Sequence, residues 1–261
     1  MAVWQFLAVL LAAVVAQAAP NSRVIGGQPT TIEEYPSIVQ VEFNIAGVFW
    51  SQSCAGVVLN NFFIASAAHC FDGRNYNPAD RRIRAGTTLR NEGGVVVPVL
   101  REFNHPTYGF NGNDGDITVV RLGSILNLGG TIQQASLMAS GFVLPGGWPV
   151  TAVGWGTIAA EADLPAAVLK AVSTQSVDID VCRQRYGSLA SNPPVTKNMM
   201  CIGNLFEGGE DACRGDDGGP IFYQNIVTGI VSWGSGCGDR NFPGVSMQIS
   251  SYVDWIVATA V

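Results

Sequence analysis

The chain has 261 residues, a formal net charge of -6, 31 glycines and 6 cysteines. That length can bury a substantial core and fits one all-β unit or two small ones. The acidic balance comes with no basic patch and no aromatic-basic repeat, so no nucleic acid partner is expected.

Residues 1–18 form an apolar run ending in Ala16-Gln17-Ala18, the small-x-small pattern that precedes signal-peptidase cleavage, although its head carries no Lys or Arg. The run is short for a bilayer and no second span follows, so a secreted, extracellular protein with no membrane partner is expected. Secretion means an oxidising compartment. All cysteines follow the signal segment, and their even count allows three bridges without choosing the pairing.

Short β-like segments come next. Residues 37–43 alternate in polarity, as do 95–99 more loosely; 56–59 and 62–65 flank Asn60-Asn61, a turn candidate. The polar, glycine-bearing stretch 123–134 reads as a crossover between two halves. Further strands are expected at 117–120, 149–153, 226–231 and 244–249.

Two helices are expected. In residues 178–186, acidic groups precede Arg183 and Arg185, which suits a helix dipole. Near the C-terminus, Val253, Ile256, Val257 and Ala260 recur at i, i+3, i+4 and i+7, with Ser250 or Ser251 as the cap. Many short strands with glycine-rich connections make an all-β chain whose sheets close on themselves.

Only Lys170 and Lys197 are lysines; the other basic residues are arginines. Arginine keeps its charge in alkaline fluid where lysine loses it, and lineage drift explains the bias equally well. No Asn-x-Ser/Thr acceptor occurs. Residues 86–95 lack the carboxylate cluster of a calcium loop, and two histidines with paired cysteines leave too few zinc ligands. No metal and no cofactor are expected.

Five motifs follow one another: Arg23-Val24-Ile25-Gly26-Gly27, Ser66-Ala67-Ala68-His69-Cys70, Asp116-Ile117, Gly215-Asp216-Asp217-Gly218-Gly219-Pro220, and Ser232-Trp233-Gly234. In that order and spacing, the chain from Arg23 to Val261 resembles the trypsin-like serine proteases, particularly the digestive trypsins of insects. The resemblance implies two six-stranded antiparallel Greek-key barrels with a C-terminal helix, and an active site in the cleft between them. It divides the chain into a signal peptide (1–18), an activation propeptide (19–23) and a trypsin-like domain (24–261). That domain would hold a first barrel (24–122), a crossover (123–134), a second barrel (135–249) and a helix (250–261), in a monomer.

By the same resemblance, Cys54 would pair with Cys70, Cys182 with Cys201, and Cys213 with Cys237. Cleavage of Arg23-Val24 by an activating trypsin-like protease would free an α-amino group to pair with Asp216. His69 would be the general base and Asp116 its orienting carboxylate, with the amides of Gly215 and Asp217 as the oxyanion hole. Asp211 would form the base of a pocket for Arg or Lys, lined by Ser232, Trp233, Gly234 and Gly244. Ser246 stands where tyrosine is common, which implies a looser, wetter pocket floor. His105 matches no catalytic position and reads as a loop or surface residue. Asp114 is passed over for Asp116, which leads directly into the next strand.

One departure decides the functional expectation. The family pattern has serine between Gly-Asp and Gly-Gly-Pro; here that nucleophile position holds Asp217. An ionised carboxylate attacks an amide poorly and puts negative charge where the oxyanion should develop. The resemblance therefore implies a protease homologue without peptidase activity, possessing a cleft for peptides and protease inhibitors bearing Arg or Lys, with the gut lumen one setting. The alternative is an active trypsin-like endopeptidase cleaving after Arg or Lys, with Asp217 an altered copy of the serine. Nothing supports a sugar site.

Overall fold

The computed structural model describes residues 27–74, 76–157, 164–189 and 193–261. The expected signal peptide, propeptide and Arg23-Val24 bond lie outside the described residues. A short strand β1 (Gln28–Pro29) leads to β2 (Ile38–Ile45), β3 (Phe49–Val58), β4 (Phe63–Ser66), β5 (Arg81–Ala85), β6 (Val95–Asn104) and β7 (Thr118–Leu122). Strands β2 to β7 close into a six-stranded antiparallel barrel in the order β2-β3-β4-β7-β6-β5. Ile38, Val41, Val57, Ile64, Ile83 and Val119 on its strands are all fully buried, on one face or the other of the closed sheet. Each such side chain contributes about 2 kcal/mol on leaving water.

Alternation in β2 does not translate into alternating exposure, because Gln40 and Glu42 are also fully buried. Glu42 accepts hydrogen bonds from Arg82 Nε and Arg84 Nε, each at 2.5 Å. Gln40 donates to the Leu89 carbonyl and accepts from the Asn91 amide. A buried polar group is tolerated when its partners are built in, and here β5 and the residues that follow it supply them.

The second half begins with β8 (Ser136–Leu137) and continues through β9 (Pro149–Gly154), β10 (Lys170–Val177), helix α1 (Ile179–Gly187), β11 (Met199–Ile202), β12 (Pro220–Tyr223), β13 (Ile226–Trp233), β14 (Gly244–Gln248) and helix α2 (Ile249–Thr259). The path β10-β11-β14-β13-β12-β9 closes through the antiparallel β9–β10 pairing into another six-stranded barrel. Both barrels use one connection scheme: three sequential strands, then the last, fifth and fourth. Strand β1 extends the second barrel by pairing with β10, and β8 lies parallel to β13. Residues between β7 and β8 run back along the first barrel, with the amides of Leu126 and Ala135 donating to the carbonyls of Asn61 and Val58.

The Asn60 turn forms as the sequence suggests, its Oδ1 accepting from the amides of Phe62 and Phe63. Helix α1 is capped by Asp178, whose carboxylate accepts from the amides of Asp180 and Val181. At the C-terminus the structure corrects two expectations. Helix α2 starts at Ile249 behind Gln248, so Ser250 and Ser251 lie inside the helix and cap nothing. Its buried face is Ile249, Tyr252 and Ile256, whereas Val257 is exposed. The face is turned because the first barrel claims it. Tyr252 Oη donates to Asp114 Oδ1 at 2.8 Å and accepts from the Gly115 amide, and Asn60 Nδ2 donates to the Ala260 carbonyl.

Three disulfides join Cys54 to Cys70, Cys182 to Cys201, and Cys213 to Cys237. Closing loops of this size contributes roughly 3 kcal/mol each.

Candidate active site

Strand β4 ends in a 3₁₀ turn, Ala68–Phe71, that carries His69 and is tied to β3 by Cys54–Cys70. Asp116 approaches it from the turn before β7. Gly115, at φ 75°, makes that turn possible, since a Cβ there would lie 2.4 Å from Thr107 Oγ1. Asp116 is 3% exposed. Its Oδ1 accepts from the His69 amide at 2.8 Å, and its Oδ2 lies 2.7 Å from His69 Nδ1 and accepts from the Ser232 hydroxyl. Backbone and imidazole are thus both fixed by one carboxylate. The other ring nitrogen, Nε2, points to the Asp217 carboxylate at 4.0 Å.

Burial depresses the His69 pKa, but the hydrogen bond and charge of Asp116 and then the charge of Asp217 outweigh it, leaving a net upward shift. Asp217 is raised by burial against the lowering effects of His69 and of the amides of Gly215 and Asp217 itself. The two expected oxyanion-hole amides therefore already face a carboxylate.

That loop is held from all sides. Gln52 Nε2 donates to the Gly215 carbonyl at 2.7 Å, and Thr157 and Ala55 donate backbone amides to the carbonyls of Arg214 and Asp217. Asp216 accepts from the amides of Gly156 at 2.7 Å and Cys213 at 3.0 Å. It presses so closely on Gly154 and Gly156 that a Cβ on either would come within 2.4 Å of its oxygens. Burial pushes Asp216 up to about 6, the two amides notwithstanding.

Below the loop opens a cavity of about 380 Å³ lined by Asp211, Arg214, Asp217, Trp233, Gly234 and Gly244, among others. Asp211 is 3% exposed; its Oδ2 accepts from the Gly238 amide, and its Oδ1 has no hydrogen-bond partner among the described residues. Burial pushes its pKa up to about 7. Gly244 must lack a side chain, because a Cβ there would sit 2.4 Å from Asp211 Oδ1. Cys213–Cys237 staples the cavity rim, and Tyr186 of α1 supports its wall by packing edge-on to Trp233 with centroids 4.9 Å apart. Ser246 also lines the cavity. Ser232 does not, because its hydroxyl is turned to Asp116.

The structure thus brings His69, Asp116, Ser232 and Asp217 together, with Asp211, Trp233, Gly234 and Gly244 around the adjoining cavity. Arg23 and Val24 lie outside the described residues. Asp114, two residues from Asp116, is committed to Tyr252 and Asn198. His105 is half-buried, with its ring edge-on to Tyr252 and Trp255. Two contributors were not read from the sequence. Gln52 is locked by Arg90, whose Nε donates to Gln52 Oε1 at 2.7 Å, and no local pattern announces a glutamine that meets Gly215 from another barrel. Arg214 lines the cavity, and its place beside Cys213 and Gly215 could have marked it. Cys54, His69 and Cys70 cluster at ligand-like spacing, but both sulfurs are shared in a disulfide and offer no thiolate.

A family model described as Trypsin matches residues 24–256. The chain belongs to the trypsin family. It is 38% identical to "Trypsin, alkaline B" of Manduca sexta over 254 residues, covering 96% of this chain and 97% of that protein. Against "Trypsin CFT-1" of Choristoneura fumiferana it is 37% identical, with 97% of each covered. Family membership accounts for the paired barrels and the cleft between them. Among the described residues no helix is long and apolar enough to cross a membrane.

Proposed function

We propose that the chain is a secreted trypsin-fold serine protease homologue without peptidase activity, whose cleft takes peptides or protease inhibitors through an Arg or Lys side chain. The observation that carries this is Asp217, whose carboxylate lies 4.0 Å from His69 Nε2 and faces the amides of Gly215 and Asp217. Acyl transfer on this scaffold needs a neutral hydroxyl that surrenders its proton to the imidazole. A carboxylate has no proton to give at neutral pH, and the tetrahedral intermediate formed by its attack on an amide would expel the carboxylate before the amine, so no acyl-enzyme accumulates. It also places negative charge beside the amides of the anion hole, where it opposes the charge that a transition state would develop.

The Arg23-Val24 bond is proposed as the processing site for an activating protease, with the freed Val24 amine pairing with Asp216. The strained burial of Asp216 supports this, since an added cation would relieve it. The reading is tested with an arginyl ester on protein cleaved at Arg23. The expected result is no acyl-enzyme burst from the unaltered chain and a burst after Asp217→Ser. A burst from the unaltered chain would establish the second reading, an active endopeptidase, which the names of the relatives and the complete His69–Asp116–Ser232 arrangement favour.

A further inference from the structure

The cavity has two carboxylates at different depths. Asp211 is buried, and its Oδ1, without a hydrogen-bond partner among the described residues, lies against the Gly244 wall. Asp217 belongs to the same lining but sits near the opening, with its side chain 31% exposed. The remaining charged residue of the lining is Arg214, whose side chain is exposed to solvent. A ligand that satisfies Asp211 alone leaves a second negative group facing its outer end. A neutral carbonyl at that end gains nothing from a carboxylate, whereas an ammonium gains a charge-assisted hydrogen bond.

We propose that this cavity is a receptor site for linear organic dications, with a guanidinium or ammonium on Asp211 in the depth and a second ammonium on Asp217 at the mouth. Two sources present this chemistry: free diamines and aminoguanidines, and the N-terminal Arg or Lys of a peptide with its α-amine uncapped. The inference rests on the proposed Asp211 pocket and deepens it by naming what the outer carboxylate selects. The enclosing geometry favours the pairing. Trp233, Gly234 and Gly244 wall the slot without charge, and the lining's other charged residue, Arg214, is itself a cation, so both cations of a slender ligand find their partners only at the two carboxylates. His69 competes for Asp217 when protonated, and the contest is removed by working above the histidine's titration.

The experiment is calorimetry at pH 9 on protein cleaved at Arg23, with agmatine and butylguanidine as matched probes that differ only in the distal ammonium. Agmatine is expected to bind roughly fivefold more tightly, the scale of a partly exposed ion pair. In Asp217→Asn, and in Asp217→Ser as a second variant, the two probes should bind equally, with benzamidine still held by Asp211. Equal affinities in the unaltered chain, or an agmatine preference that survives both variants, overturns the proposal while leaving the Asp211 pocket standing. Failure of benzamidine and both probes to bind removes the pocket and the dication site together. An arginine-led tripeptide, compared free and N-acetylated at pH 7, where its α-amine is charged, and set against agmatine and butylguanidine at that same pH, separates the sources. A free-amine preference as large as agmatine's assigns the site to peptide N-termini, and its absence assigns it to small diamines.

Discussion

The two barrels bring opposite electrostatic conditions to the cleft. On the first, the Asp116 carboxylate is buried but receives the His69 amide, the imidazole and the Ser232 hydroxyl, so its burial is compensated by the fold itself. On the second, Asp211 and Asp216 are pushed up to about 7 and about 6 by burial, and Asp217 is raised as well. The base side is finished within the chain. The pocket side is left in need of cations, which a ligand or a freed α-amine can supply. The difference teaches that conserving one half of a catalytic centre's geometry says little about the state of the other.

The largest effect should come from breaking the finished side in a variant where it can be read. In Asp217→Ser, adding Asp116→Asn should lower ester hydrolysis by about 10⁴-fold, since the imidazole loses its orienting acceptor and its tautomer. A loss within about tenfold would mean that the backbone and the 3₁₀ turn hold His69 without Asp116.

The unfinished side should show itself in pH dependence. Benzamidine needs ionised Asp211, so its affinity should climb by about tenfold per pH unit towards pH 7 and level off above it. Stability runs the other way. The folded pKa of Asp211 lies above the usual 3.8, so the folded state holds its proton more tightly than the unfolded chain. That contribution is complete below the unfolded value and is lost as pH rises through about 7. Urea titrations across this range should therefore show a decline that Asp211→Asn flattens. A slope indifferent to Asp211→Asn would place the burden elsewhere.

Between the halves, Tyr252→Phe should destabilise the protein by about 1–3 kcal/mol, because buried Asp114 loses a donor and the Gly115 amide loses its acceptor. Denaturant unfolding reads this directly, and a change below about 0.5 kcal/mol would show that α2 docks by apolar contact alone.

The smallest effect tests the contact between the two sides. Burial lowers the His69 pKa, whereas Asp116 and then Asp217 raise it. Asp217→Ala should therefore shift the imidazole titration downward in nuclear magnetic resonance. No shift would mean that the carboxylate is spent wholly on the amides of the loop.

Much of this was legible residue by residue. Short apolar runs marked β2, β7, β9, β13 and β14, and Asp178 marked the start of α1. Strands β11 and β12, only four residues each, were not read, nor were β5 and β10, where Arg82, Arg84, Gln175 and Ser176 break any simple polarity pattern. Their polar side chains find partners that only the closed sheets bring near, as Glu42 does for the two arginines and the Trp148 amide for Ser176. The C-terminal stripe was read at the right place and the wrong angle, since Tyr252 follows Asp114 and not hydrophobicity alone.

The sequence by itself determined the order of the motifs, and with it the family, the barrels and the carboxylate at residue 217. Those are properties of local chemistry and spacing, which survive without coordinates. Only the tertiary structure decided that Asp217 faces both His69 and the loop amides, that Gln52 of one barrel braces Gly215 of the other, and that Asp211 and Asp217 share one cavity. The meetings of His69 with Asp217 and of Gln52 with Gly215 join groups far apart in the chain, the shared cavity depends on how one segment wraps around a void, and all depend on how much water burial removes.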